Sequence, residues 1–141
     1  MSATQLAALA RTSHPQTALR RFLALDAAVT GANALAYLAA SGPLGDLLGV
    51  DPALLLVLGA FLAAYATAVA LLASRPRPAA FPVRAVIEAN FAWAALSLVA
   101  LAVWLTPTTA GAVWTVLQAL TVAGFAGVQY AALRARQGIS D

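Results

Sequence analysis

The sequence predicts an all-α polytopic membrane protein: four transmembrane helices in an antiparallel bundle, with both termini in the cytosol. Three observations carry that prediction. First, 62% of the 141 residues are hydrophobic and 9% are charged, and the mean hydropathy is +0.85, far from the balance of a soluble domain. Second, the stretches 22–40, 52–73, 85–105 and 110–133 each supply the roughly 20 apolar residues that cross about 30 Å of hydrocarbon. Third, the arginines alternate with the spans. Arg11, Arg20 and Arg21 precede the first, Arg75, Arg77 and Arg84 separate the second from the third, and Arg134 and Arg136 follow the fourth. The opposite loops carry only Asp46 and Asp51, so the positive-inside rule places the arginine-bearing side, and both ends of the chain, in the cytosol of a cytoplasmic membrane.

Residues 1–21 read as a cytosolic amino-terminal segment, two short apolar patches with Arg11 and a break at Pro15, able to lie on the membrane surface. No positive residue precedes the first apolar run, so the first span, not a cleaved signal peptide, is expected to direct insertion. Ser41, Gly42 and Pro43 end that span, and Asp51 followed by Pro52 offers an N-cap and a first-turn proline for the second. Arg75, Pro76, Arg77, Pro78 and Pro82 make a stiff, helix-breaking connector. The turn at Thr106, Pro107, Thr108 and Thr109 is short enough to make the last two spans a hairpin, and residues 134–141 form a cytosolic tail. The second span also aligns weakly on the fourth, pairing Val57 with Val116, Val69 with Val128 and Arg75 with Arg134, as a two-plus-two duplication would.

Composition removes several function classes. There is no cysteine and a single histidine, His14, so disulfide, thiol and metal or haem chemistry lack their residues, and no cofactor or metal is expected. No Ser-His-Asp set or glycine-rich phosphate loop can be assembled. The net charge of +3 sits in arginines scattered between apolar spans. That pattern suits topological anchoring by snorkelling side chains rather than nucleic acid. The expected partners are the lipid bilayer and either a second copy of the chain or a membrane partner protein.

The polar residues inside the spans are the candidate site. Asp26, Thr30, Asn33 and Tyr37 step by four, three and four residues along one face of the first span. At about 1.5 Å per residue, Asp26 lies roughly 7 Å inward from Arg21, and Glu88 roughly 6 Å inward from Arg84. The two acids therefore share a depth, and Asn90 and Gln129 fall near it. That layer is a candidate ligand- or proton-binding site reached from the cytosol, with Gln118 extending it inward. Each residue also has a structural reading. Glu88 is placed to pair with Arg84 one turn away, Asp26 to fasten helices by hydrogen bonds, and Asn33, Gln118 and Gln129 to act as interhelical glue. Gly59, Ala63 and Thr67 read as a close-packing seam. Trp104 and Trp114 read as interfacial anchors, and the deeper Trp93 as packing or as a cavity-lining ring. No catalytic residue is assignable.

With DAAVTGANALAYL around Asp26 and PTTAGAVW before the last span, the whole chain resembles small four-span integral membrane proteins of actinobacteria. The resemblance implies a location and an architecture, and no activity comes with it. Three functions fit the residues: a small transporter or channel-like protein built around Asp26, a non-catalytic membrane subunit or assembly partner, and an intramembrane enzyme using an acid on a lipid-soluble substrate.

Overall fold

The computed structural model describes residues 14–140, of whose last two no side-chain statement is made. Five helices account for almost all of it: α1 Pro15–Ala39, α2 Ser41–Leu48, α3 Pro52–Ala73, α4 Ala80–Val103 and α5 Thr109–Ser140. Four of them are long and apolar enough to cross a membrane. Each buries only a narrow stripe at steps of three and four residues, such as Leu55, Gly59, Leu62, Ala66, Val69 and Ala73 on α3. The remaining surface is apolar too, with Leu35, Val57 and Leu71 mostly exposed. In water that surface would drive aggregation; lipid solvates it.

The four long helices form an antiparallel ring in chain order. α1 packs most extensively on α3, α4 on α5 and α1 on α5, while α3 and α4, although consecutive, approach each other least. The α4–α5 hairpin expected from the short turn is present. The α1–α3 seam runs through Gly59 and Ala66, where Gly31 lies against Ala66. Thr67, expected on that seam, is exposed and donates to the Ala63 carbonyl of its own helix at 2.8 Å.

Element boundaries depart from expectation chiefly at prolines. Pro15 occupies the first turn of α1, where its missing N–H costs nothing, so it starts a helix that runs unbroken into the span. The part of the expected surface segment before His14 lies outside the described residues. Pro43 likewise sits in the first turn of α2, a helix where only a stop was expected, and Pro82 in that of α4. The last helix runs through most of the expected tail.

Each end of the ring is closed by a different device. At the arginine-bearing end, the proline-rich connector has few N–H groups and the last carbonyls of α3 have no intrahelical donor, so side chains supply the donors. Gln16 donates to Pro76 O at 2.7 Å, Arg20 to Ala73 O at 3.1 Å, and Arg136 to Pro78 O at 2.6 Å and Gln16 Oε1 at 3.1 Å. Arg136 is buried and Arg20 is exposed, and both clasp backbone carbonyls at this end. Beneath them Leu19, Leu23, Val69, Val83 and Leu133 form a dry cluster. At the opposite end α2 lies across the ring. Gly49 ends it with a φ of 70°, a conformation that favours glycine. Thr108 then docks the α4–α5 turn on α2, its N–H donating to Leu48 O at 3.1 Å and its hydroxyl to Leu47 O at 2.6 Å. The closeness is possible because a Cβ at Gly111 would run into the Leu48 carbonyl.

Candidate functional site

Asp26 is the centre of a hydrogen-bonded knot that joins all four long helices. It is only 1% exposed. Its Oδ1 accepts from Thr30 Oγ1 at 3.1 Å, one turn along α1. Its Oδ2 accepts from Asn90 Nδ2 on α4 at 2.8 Å and from Gln129 Nε2 on α5 at 2.8 Å. Asn90 Nδ2 also lies 3.2 Å from Gln129 Oε1, and Tyr65 on α3 donates to Asn90 Oδ1 at 2.9 Å. Among the described residues, no buried side-chain nitrogen or oxygen lacks a partner. Every donor to Asp26 is a neutral amide or hydroxyl, so the knot requires acceptors at its centre rather than a counter-charge.

The layer expected from sequence is therefore real in three of its members and different in its setting. Asp26, Asn90 and Gln129 converge, but the dry cluster of Leu19, Leu23 and Leu133 fills the space between them and the arginine-bearing end. Glu88 does not join them. It stands exposed on α4, while that helix buries Val83, Ile87, Asn90 and Ala94. The two acids share a depth and no common space, because Glu88 lies about 160° around the helix from Asn90 at 100° per residue. Among the described residues no ion pair joins Glu88 to Arg84.

On the other side of the knot the helices surround a half-open cavity of about 770 Å³ at mid-span. Thr30 and Asn90 belong to both the knot and the cavity wall. Trp114 donates to the Tyr37 hydroxyl at 2.8 Å and Trp93 to Gln118 Oε1 at 2.7 Å; Trp114, Trp93 and Gln118 all line the space. Gln118 Nε2 returns to Thr115 O at 2.9 Å, and Thr121, also on the wall, donates to Leu117 O at 2.9 Å. The rest of the wall is Asn33, Tyr65, Phe61 and alanine, leucine and valine side chains. Phe61 stacks on Trp93 with ring centroids 6.1 Å apart and planes 8° from parallel, and on Tyr65 at 6.3 Å and 17°.

The exposed wall residues show where the cavity meets the outside of the bundle. Phe61, Ala89, Ala92 and Leu96 are exposed along α3 and α4, whose backbones separate most among neighbouring helices. Val29, Ala32 and Ala36 are exposed on α1, and Trp114 and Leu117 on α5. The openings thus lie near the middle of the long helices.

Sequence reasoning missed three participants. Tyr65 ties α3 to the knot, Phe61 borders the opening, and Trp114 turns inward although its position beside the outer turn suggested an anchor. A usable signal was present for Tyr65, since a phenol in the middle of an apolar span needs a partner. Compared with known proteins, the chain matches no family model, no curated sequence and no solved structure, so the functional reading rests on this geometry alone.

Proposed function

We propose that this chain is an integral membrane carrier or binding protein for a lipid-soluble small molecule, which enters the mid-span cavity from the bilayer. The single observation that carries the reading is a cavity of about 770 Å³ walled by all four long helices of one chain and meeting the outside at lipid depth. Its size falls in the range of small-molecule sites, and both ends of the ring are closed. Asp26 serves by holding the wall, not by touching the ligand. An acid-using enzyme is less well supported, because among the described residues no Asp or Glu lines the cavity.

The orientation belongs to the same proposal, with the arginine-bearing end facing the cytosol. Because the native chain has no cysteine, Ser74→Cys and Asp46→Cys give clean reporters of the two ends. A membrane-impermeant maleimide on intact cells should label the second and spare the first; the reverse pattern would invert the assignment. The binding reading is tested by filling the space. Native protein purified gently from its membranes should retain a small molecule, detected by mass spectrometry of an organic extract, that an Ala32→Phe/Ala92→Phe double variant loses. Identical extracts from two equally folded proteins would sink the reading.

A further inference from the structure

We infer that Asn33 is the ligand-recognising residue of the cavity, and that the ligand is an uncharged, mostly apolar molecule carrying one group that both donates and accepts, such as a carboxamide. This rests on the cavity being a binding site. The observation behind it is a contrast along the wall. The other polar side chains there are committed within the chain: Thr30 and Asn90 to Asp26, Trp93 to Gln118, Trp114 to Tyr37. Asn33 lines the same space, is half-buried, and its amide has no hydrogen bond, ion pair or electrostatic partner among the described residues.

An amide has two N–H donors and two acceptor positions, and leaving them unpaired in an apolar setting costs several kcal/mol. A bound molecule presenting a carbonyl and an N–H would satisfy both ends of the amide. Position supports the assignment: Asn33 lies between Thr30 and Tyr37 on the inward face of α1, so it stands between the knot and the Trp114 clasp. Among the described residues no Asp, Glu, Lys, Arg or His lines the cavity, which selects against a charged ligand. Phe61 and Trp93, stacked nearly parallel, give an apolar body a flat surface.

Two brominated probes of similar shape separate these ideas, 6-bromo-2-naphthamide and 2-bromonaphthalene, each quenching nearby tryptophan. With Trp104→Phe in the background, Trp93 and Trp114 are the remaining tryptophans and both line the cavity. Quenching is measured in phosphatidylcholine nanodiscs as the excess over the cavity-filled Ala32→Phe/Ala92→Phe protein, against probe concentration in the lipid. The naphthamide should lose about tenfold in affinity on Asn33→Leu, the size of one or two lost hydrogen bonds, and bromonaphthalene should not weaken. Asn33→Ala repeats the test if leucine overfills the site. Equal effects on the two probes, or none, would overturn the role of Asn33 while leaving the cavity a binding site. Absence of excess quenching by either probe in the native protein would overturn the binding reading itself.

Discussion

The two halves of this bundle handle polar groups in opposite ways. In the half nearer the arginines, Asp26, Asn90 and Gln129 are almost completely buried, and each is satisfied by a side chain from another helix. In the other half the same four helices separate around a cavity, and Asn33 faces it with no partner among the described residues. Both arrangements use polar residues at lipid depth, where an unmet hydrogen bond is costly. The knot therefore specifies how the helices meet, and the cavity is where they are held apart. Because Thr30 and Asn90 serve both halves, rigidity on one side sets the shape of the other.

The largest effect should come from removing the centre of the knot while keeping its donors. Asp26→Leu leaves the Asn90 and Gln129 amides without their shared acceptor, and stability to denaturant in detergent should fall by about 3 kcal/mol. Asp26→Asn should cost less than about 1 kcal/mol, since one amide oxygen can accept from both Asn90 and Gln129 and the amide N–H₂ can donate to Thr30. A severe loss from Asp26→Asn would show that the charge, and not the acceptors, is what the knot needs. Replacing Asp26, Asn90 and Gln129 together by leucine should recover most of the loss, because no amide is left without an acceptor, and of the two hydroxyls that lose one, Thr30 and Tyr65, the latter still reaches Val86 O at 3.3 Å.

That contrast also explains what could be read in advance. Hydropathy and loop charges are local properties, so the four spans and the α4–α5 hairpin were legible from composition and from one short turn. The row Asp26, Thr30, Asn33 and Tyr37 was legible as a face, because helical periodicity places those residues together whatever surrounds them. Which helix each would meet was not. Tyr65 joins the knot and Glu88 does not, although Glu88 is the more conspicuous residue. Their rotation depends on how α3 and α4 lie against α1 and α5, a property of packing rather than of spacing. The first-turn prolines misled for a related reason: the same ring that ends a helix from inside begins one at its first turn.

An intermediate effect should appear where the end opposite the arginines closes. Gly111→Ala places a methyl against the Leu48 carbonyl, forcing α2 away from α5, at a cost of about 2 kcal/mol. The knot half should be unaffected, so hydrogen exchange should accelerate at α2 and the first turns of α5 while α1 near Asp26 stays protected. Uniform acceleration would mean that the two halves unfold as one unit. Tyr65→Phe is milder: it removes one interhelical bond, worth about 0.6 kcal/mol in membrane bundles, and loosens Asn90 without orphaning Asp26.

The smallest effect is expected at the other acid. Glu88 shares its depth with Asp26, and from sequence alone the two acids fell in one candidate layer centred on Asp26, yet Glu88 is exposed and lines neither the knot nor the cavity. Glu88→Gln should change stability by less than about 0.5 kcal/mol, as surface substitutions usually do, and should leave probe quenching at Trp93 and Trp114 unaltered. A clear loss of quenching with unchanged stability would link the outer face of α4 to the cavity, and the division between a fastened half and a binding half would have to be redrawn around α4. An unchanged protein would sharpen it: depth in the membrane decides how costly a carboxyl is, and the direction it faces decides what it does.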